Sequence, residues 1–249
     1  AADVQEAAAP EAHEAQADVV FGVNNSPVNG KIFFESYDHE TNNFCSASVI
    51  NTPSKRVIVT AAHCVYNATS KHWQANAVFV PNYNKNAANP APLGIWPVRT
   101  FRVFDSWILN TSFSNDIAFG TLYNGGNSDL PIATVTGGHG ITWGGSFNVD
   151  VTIFGYPINR TSPANGRYTM LSCATRATRA PNLNEYVSQD CWFLGGASGG
   201  PWLQNYNPAT GTGQLRSITT SGTRGTGNNW GPYFDSSVKT LMDKADSDW

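Results

Sequence analysis

From Val19 onward the chain is a succession of short β-rich runs separated by turn-rich breaks, and this pattern limits the possible folds more than any other feature. The runs are rich in β-branched and aromatic residues, as strands are. A first group comprises Lys31–Phe34, Ala47–Ile50, Val57–Thr60, Ala77–Val80, Val98–Phe104 and Ile117–Leu122. A second group comprises Ile132–Thr136, Val149–Phe154, Tyr168–Ser172, Gly200–Leu203, Leu215–Thr220 and Tyr233–Phe234. Two groups of about six strands predict an all-β body with two small barrels or sandwiches.

Helical patterns are confined to two places outside the N-terminal segment. One is a turn at Ala61–Tyr66, and the other is the segment Ser236–Ala245, which follows a capping position at Asp235. Three apolar residues of that segment fall at i, i+3 and i+4, and they are Val238, Leu241 and Met242. We therefore expect a C-terminal helix over residues 236–245.

The first twenty residues differ in composition from everything that follows. They contain eight alanines and five carboxylates, with no lysine or arginine. This composition predicts an acidic, alanine-rich N-terminal extension over residues 1–20, followed by the folded domain over residues 21–249.

The charge pattern excludes several classes of partner. Fifteen Lys and Arg residues stand against eighteen Asp and Glu residues, with no basic stretch, so a nucleic-acid-binding role has no electrostatic basis. The longest apolar runs, such as Val57–Val59 and Val78–Val80, are far shorter than the ~18 residues of a membrane span. We expect a monomer that binds neither nucleic acid nor a membrane.

Cysteine usage and glycosylation sequons indicate an oxidising compartment. The chain has four cysteines, and the sequon Asn-X-Ser/Thr begins at Asn24, Asn67, Asn110 and Asn159. Together these features predict a secreted, extracellular glycoprotein with disulfide bonds. No apolar signal-peptide core follows Ala1, so we expect any secretory signal to have been removed from this numbering.

The strongest local motif is Gly195–Pro201, in which glycines flank Ser198 on both sides. Such glycines let the backbone bend sharply and approach a substrate carbonyl. A serine nucleophile also needs a base for its proton, an acid that orients the base, and backbone N–H groups aimed at the developing oxyanion.

Candidates for the base and the acid occur earlier in the chain. His63 follows the β-rich run that ends at Thr60, and Asp116 precedes an apolar strand, as expected for a buried carboxylate that orients an imidazole. Cys45 is the expected partner of Cys64, and a bridge between them would hold His63 in place.

Taken together, these motifs resemble the chymotrypsin/trypsin-like serine peptidases. The matching segments are Cys45–Ser48, Thr60–Cys64, Asp116–Phe119 and Gly196–Pro201, in the family's order of His, Asp and Ser. Two further segments, Gly155–Pro157 and Asn229–Phe234, look more like the glutamyl endopeptidase branch. The resemblance implies two perpendicular six-stranded antiparallel β-barrels, over residues 21–125 and 126–235, with the catalytic residues in the cleft between them.

The resemblance also implies a role for each matching residue. His63 would act as general base and then acid, Asp116 would orient it, and Ser198 would be the acylated nucleophile. The N–H groups of Gly196 and Ser198 would form the oxyanion hole. The four residues that would pair with the substrate backbone as an added strand are Thr219, Thr220, Ser221 and Gly222. No cofactor or metal is implied, and the substrates would be proteins or peptides.

Two departures from the family concern activation and specificity. Digestive members have Asp directly before the nucleophile, where it pairs with a freed N-terminal ammonium, but this chain has Ala197. That salt bridge cannot form, so Gly195, Gly196 and a bridge between the remaining cysteines, Cys173 and Cys191, would hold the oxyanion loop. Trp192 stands where basic-specific members have an acid, which makes a trypsin-like preference unexpected.

The specificity pocket is therefore expected to accept uncharged, bulky side chains. The expected wall residues are Trp192, Phe193, Leu194, Thr219, Thr220, Ser221, Gly222 and Gly231, whose two glycines would leave room on two sides. Glutamate-specific members carry a histidine after the nucleophile, and no histidine follows Ser198 here. Arg216 or Arg224 could replace that histidine as a carboxylate reader.

Two competing hypotheses make different predictions. The motif Gly196–Gly200 also fits the nucleophile elbow of α/β-hydrolases, but that fold requires a histidine after the serine. A catalytically inactive, protease-like binding module is the other alternative, and Ala197 is the residue that suggests it.

His72 and His139 lie in polar or Gly-rich stretches and are expected at the surface.

Overall fold

A computed structural model describes residues 18–21, 26–158, 168–189, 191–222 and 227–249 of the chain. The strands of the first part are β1 (Asp18–Phe21), β2 (Asn29–Glu35), β3 (Asn42–Ile50), β4 (Val57–Thr60), β5 (Tyr66–Asn67), β6 (His72–Trp73), β7 (Ala75–Pro81), β8 (Trp96–Val103) and β9 (Ala118–Leu122). Those of the second part are β10 (Gly140–Ile141), β11 (Val149–Gly155), β12 (Leu171–Arg179), β13 (Glu185–Ser188), β14 (Pro201–Asn207), β15 (Thr212–Ile218), β16 (Ser221–Gly222) and β17 (Asn229–Pro232).

The helical elements are short apart from the last one. They are α1 (Ala62–Val65), α2 (Asp105–Asn110), a 3₁₀ turn at Phe113–Asn115, α3 (Ile132–Thr136) and α4 (Ser236–Asp246). The C-terminal helix is confirmed, with Asp235 as its N-cap: the Asp235 side chain accepts a hydrogen bond from the Ser237 N–H. Within the described residues, no helix is long and apolar enough to cross a membrane.

Two predicted strands are wrong. Tyr233–Phe234 follows the end of β17 and belongs to no strand, and Ile132–Thr136 forms helix α3. Its β-branched residues favour a strand, but Pro131 precedes the segment and Gly137 ends it, which leaves room for a single helical turn. The Ala133 N–H donates to the carbonyl of Lys55, so a tertiary contact holds the turn. Tertiary context therefore overrides local propensity here.

The first half of the chain closes into a barrel in the strand order β2-β3-β4-β9-β8-β7. All of its strand pairs are antiparallel, and β2 pairs with β3 over the whole length of β2, from Asn29 opposite Ser48 to Glu35 opposite Asn42. Ile32, Ile58 and Phe79 lie on one face of the barrel wall and are fully buried. The first of the two predicted barrels is thus confirmed.

The second half forms a nine-stranded sheet in the order β10-β15-β14-β11-β12-β13-β17-β16, with β1 paired to β12. The predicted closure into a second barrel is not confirmed, and it stays a prediction. At the open side, Ser217 on β15 donates a side-chain hydrogen bond of 2.8 Å to the carbonyl of Pro232 on β17. A Cβ on Gly231 would overlap the carbonyl of Ile218, so the two strands approach closely without a hydrogen-bonded ladder.

The first and last elements that the structure describes pack on opposite halves. β1 pairs with β12 in the second half, from Asp18 opposite Ala174 to Phe21 opposite Leu171. Helix α4 buries its apolar stripe in the core of the first barrel, and Thr121 of β9 donates a hydrogen bond of 2.6 Å to the carbonyl of Ala245. The division of the chain into residues 1–20, 21–125, 126–235 and 236–245 remains a prediction.

Candidate active site

His63 and Asp116 are brought together by the first barrel. Nδ1 of His63 lies 2.6 Å from Oδ2 of Asp116, and the His63 backbone N–H donates to Oδ1 of Asp116 at 2.8 Å. Both carboxylate oxygens therefore contact the same residue. Asp116 is fully buried, whereas the His63 side chain keeps 33% of its surface exposed. The imidazole thus has one edge fixed by a carboxylate and another facing the cleft.

Local structure explains this placement. Strand β4 ends at Thr60, and the single-turn helix α1 begins at Ala62, so His63 lies where the chain leaves the barrel wall. The predicted bridge between Cys45 and Cys64 is present and ties α1 to β3. Asp116 follows the 3₁₀ turn that precedes β9.

The ionisation of His63 reflects two opposing effects. Burial lowers the pKa of the imidazole, but the charge of Asp116 and its hydrogen bond raise it. The net pKa of His63 lies above its ordinary value of 6.5. A neutral imidazole with a carboxylate on Nδ1 leaves Nε2 as the proton acceptor, which is the form that a general base requires.

The Ser198 loop lies against the same elements of the first barrel. A Cβ on Gly199 would overlap the Thr60 side chain and lie 2.8 Å from the nitrogen of Ala61, and these residues directly precede α1. Gly199 also has a φ of +80°, which disfavours any other residue. The glycine after the serine therefore permits the approach of the loop to the segment that carries His63.

Backbone hydrogen bonds hold the loop on both sides of Ser198. The carbonyl of Ser198 accepts from the Ser46 N–H at 2.8 Å, and the Gly199 N–H donates to the carbonyl of Thr219 at 2.7 Å. In the part of the chain that the structure describes, the N–H groups of Gly196 and Ser198 have no hydrogen-bond acceptor. Both donors are thus available for an anionic oxygen.

Ser46 is an important residue of the site that the sequence analysis missed. Its hydroxyl donates to the carbonyl of Gly196 at 2.9 Å and accepts from the N–H of Tyr156, also at 2.9 Å. The carbonyl of Gly195 accepts from the Ile158 N–H at 2.7 Å. These contacts hold the Ser198 loop, in which Ala197 is fully buried and cannot form a salt bridge.

The second predicted disulfide is also present. Cys173, on β12, is bonded to Cys191, which opens the segment that leads to Ser198. The structure describes no free cysteine. His63 lies near the sulfurs of Cys45 and Cys64, but these two sulfurs are bonded to each other and cannot act as thiolate ligands for a metal.

Strand β16 provides an exposed sheet edge beside the loop. Ser221 and Gly222 pair with Trp230 and Asn229 of β17, and β16 ends the strand order of the sheet. Both residues are exposed, whereas Thr219 and Thr220 are buried. The predicted substrate strand therefore lies at an edge whose backbone can pair with an extended peptide.

Comparison with known proteins places these features in a family. The sequence profile of the trypsin-like peptidase domain matches residues 45–211, which is more than half of the chain. The chain belongs to the trypsin-like peptidase family. It is a serine endopeptidase, and its substrates are proteins or peptides.

Solved structures agree with this assignment. The peptidase is 27% identical to the protease Anisep from Arthrobacter nicotinovorans, with a TM-score of 0.78 over 91% of this chain and 99% of that one. It is 25% identical to the thermostable serine protease AL20 from an extremophilic microorganism, with a TM-score of 0.78 over 91% and 100% of the two chains. A Glu endopeptidase is 19% identical, with a TM-score of 0.73 over 94% and 98%, and it shares the fold. No curated protein sequence matches the chain.

The walls expected for the specificity pocket of the peptidase differ in exposure. Trp192 is 47% exposed and has a left-handed backbone, and its N–H donates to the carbonyl of Gly227. Phe193 is buried in the core of the second half, so only its backbone can face a substrate. Leu194 is half-buried, between the buried Phe193 and the exposed Gly195.

Asn229 is a second residue that the sequence analysis missed. It is fully buried, and its side-chain amide contacts both the N–H and the carbonyl of Phe193, at 3.2 and 2.6 Å. The same amide group donates to the carbonyl of Ser221 at 3.4 Å. Asn229 thus holds the two predicted pocket walls together.

The expectation that two glycines leave room in the pocket is wrong. A Cβ on Gly222 would overlap the carbonyl of Phe193, and one on Gly231 would overlap the carbonyl of Ile218. Backbone atoms therefore occupy the space that each missing side chain leaves. At Gly222, the pocket walls formed by Phe193 and Gly222 therefore lie close together.

Arg216, the described one of the two arginines that could recognise a substrate carboxylate, already forms hydrogen bonds within the protein. Its guanidinium is buried and donates to the carbonyls of Gly144 and Ser146 and to the hydroxyl of Tyr186, at 2.7, 3.1 and 2.7 Å. It therefore braces the interior of the second half. Arg224 lies outside the described residues.

His139 is not at the surface, which corrects the sequence-based expectation. It is fully buried, Nε2 lies 2.8 Å from Oδ1 of Asn29, and Nδ1 accepts from the Gly213 N–H. Burial lowers its pKa to about 3, so this histidine is a neutral structural residue. His72 is exposed, as expected.

Two of the four sequons can be placed on the structure. Asn67 and Asn110 are exposed, at the ends of short elements. Asn24 and Asn159 lie outside the described residues. Glycosylation at any of the four remains a prediction.

Proposed function

We propose that the peptidase cleaves peptide bonds through an acyl-enzyme formed on Ser198, with His63 and Asp116 completing a catalytic triad. The observation that carries this proposal is the contact of both Asp116 oxygens with His63, beside a loop whose serine is flanked by glycines. Asp116 fixes the ring orientation and favours the imidazolium that forms when the ring takes a proton.

The reaction would proceed in two halves. The hydroxyl of Ser198 attacks the scissile carbonyl while its proton moves to Nε2 of His63, and the N–H groups of Gly196 and Ser198 donate to the developing oxyanion. Breakdown of the intermediate expels the amine, which takes the proton from His63. Water, deprotonated by the same imidazole, then releases the acyl group and restores Ser198.

The substrate would bind as an extended strand along β16. Residues before the scissile bond would pair with Thr219–Gly222, which places the scissile carbonyl beside Ser198. Because no acid stands at position 192 and Arg216 is engaged elsewhere, we propose that the residue directly before the bond is uncharged. Gly222 and the carbonyl of Phe193 lie close together, so the proposal no longer includes a bulky side chain on that residue.

Secretion forms part of the proposal. Both pairs of cysteines are oxidised, and Asn67 and Asn110 are exposed for glycosylation. These features fit an extracellular enzyme.

A serine-directed fluorophosphonate tests the mechanism. We expect it to label Ser198, and Ser198→Ala to abolish both labelling and peptide cleavage, by ~10⁴-fold or more. His63→Ala should cost about as much. Either variant retaining a tenth of wild-type activity would refute the triad. A folded wild-type protein that is not labelled would instead be an inactive binding module.

A further inference from the structure

A cavity of about 310 Å³ lies directly beside the proposed substrate strand. Its lining residues are Phe113, Leu183, Glu185, Thr220, Ser221 and Trp230. Phe113 and Leu183 are 56% and 43% exposed, so the cavity is open to solvent at an apolar rim. Glu185 is the one ionisable side chain in this lining.

Glu185 is an unusual residue for such a place. Only 6% of its surface is exposed, and Oε1 accepts a hydrogen bond of 3.2 Å from the hydroxyl of Ser114. Across the described ranges, no Lys, Arg or His nitrogen lies within 4.0 Å of its carboxylate. Buried carboxylates are normally paired with a cation, because burying a charge without a partner is unfavourable.

The position of the cavity suggests where that cation comes from. Ser221 belongs to the exposed edge strand β16, and Phe113 lies in the 3₁₀ turn that leads to Asp116. The cavity therefore lies on the side of the cleft where the substrate residues before the scissile bond would bind. Side chains of an extended peptide point alternately to its two faces, so one of them can enter the cavity.

The lining of the cavity matches a long basic side chain. Lys and Arg carry an apolar stem that can pack against Phe113 and Leu183, and a charged end that can reach Glu185. Phe113 and Trp230 also line the cavity, and a cation is attracted to aromatic rings. An apolar wall with one carboxylate fits this chemistry better than it fits an acidic or a purely aliphatic side chain.

From these observations we propose that Glu185 is a specificity-determining residue, which selects a lysine or arginine at one substrate position upstream of the residue that directly precedes the scissile bond. The inference rests on the proposed function, because it assumes that peptides bind along β16. It is independent of the preference at the residue next to the bond, which lies against Trp192 and Phe193.

The test uses matched peptides and one substitution. Fluorogenic peptides that carry lysine, norleucine or glutamate at each upstream position are cleaved by the wild type and by Glu185→Gln. At one position we expect kcat/KM for lysine to exceed that for norleucine at least tenfold in the wild type. Glu185→Gln should reduce this ratio to about one. Glu40→Gln removes an exposed carboxylate that does not line the cavity and should keep the ratio.

Each outcome has a defined meaning. A wild-type enzyme that cleaves norleucine peptides as well as lysine peptides at every upstream position would overturn the inference, even if Glu185→Gln failed to fold. An unchanged ratio in Glu185→Gln would overturn it as well. Titration of Ser198 with the fluorophosphonate separates these failures from that of the proposed function, because an enzyme that is labelled but shows no lysine preference refutes only the role of Glu185.

Discussion

The two sides of the candidate active site are held by different forces. His63 is held by a buried carboxylate, which contacts both its ring and its backbone at 2.6 and 2.8 Å. The Ser198 loop is held by hydrogen bonds between uncharged groups: the Ser46 hydroxyl donates to the carbonyl of Gly196, and the Gly199 N–H donates to the carbonyl of Thr219. Gly199 also lies close to the first barrel.

This difference fits the role that we propose for each side. The base must change its charge during the reaction, so a fixed opposite charge stabilises the protonated form. The oxyanion loop must keep its N–H groups in one orientation, and neutral hydrogen bonds with close packing achieve this without a salt bridge. Changes on the base side should therefore affect catalysis, whereas changes on the loop side should affect geometry and stability.

The largest expected effect is at Asp116, the carboxylate that holds His63. Asp116→Asn should lower kcat by about 10⁴-fold, because an amide stabilises the wrong tautomer of His63 and cannot stabilise the imidazolium. Steady-state cleavage of a peptide measures the loss. Asp105→Asn, at an exposed carboxylate in α2, serves as the control and should leave kcat within twofold. A loss below a hundredfold in Asp116→Asn would contradict the role of the carboxylate.

The second effect is steric and concerns Gly199 in the Ser198 loop. Gly199→Ala should destabilise the protein by about 3 kcal/mol or more, since its φ is +80° and the added methyl would overlap Thr60 and Ser46. Displacement of the loop should also lower kcat/KM about a hundredfold. Gly195→Ala is the matched control, because a Cβ there meets no atom within 4 Å. Denaturant unfolding and kinetics that did not distinguish the two variants would refute the packing argument.

A smaller effect is expected at Ser46. Ser46→Ala leaves the Tyr156 N–H and the Gly196 carbonyl without their partner, which should cost about 1–3 kcal/mol of stability. We expect kcat to fall about tenfold, because the oxyanion loop loses one of its supports. Ser48→Ala removes a buried hydroxyl that has no hydrogen-bond partner, so its stability should change by less than about 0.5 kcal/mol. Equal stability losses in the two variants would contradict this assignment.

The smallest effect concerns pH. The pKa of His63 is raised by Asp116, so NMR titration of its ring should give a value above 6.5, and the acidic limb of kcat/KM should follow that value. The imidazolium–carboxylate contact stabilises the folded state fully below 6.5, and this contribution is lost as pH rises through the folded pKa. Asp116→Asn should lower the measured pKa of His63. A rate that stays flat from pH 5 to 8 would argue against a histidine base.

Sequence motifs predicted the principal residues of the candidate site but not the residues that support them. His63, Asp116 and Ser198 stand in short motifs whose chemistry is local, and the pairing of the four cysteines was predicted correctly. Ser46 lies 150 residues from Gly196 in the chain, and Asn229 lies 36 residues from Phe193. A serine on a strand and an asparagine in a Gly-rich stretch carry no pattern that indicates such a contact.

What the sequence determined by itself is therefore the β-rich pattern, the capped C-terminal helix and the residue types that can perform acyl transfer. Tertiary structure alone decided that β1 pairs with the second half and that α4 packs on the first barrel. It also decided that His139 is buried and that Glu185 lines a cavity. Local propensity and motif chemistry act over a few residues, whereas burial and long-range pairing depend on which distant segments the folded chain brings together.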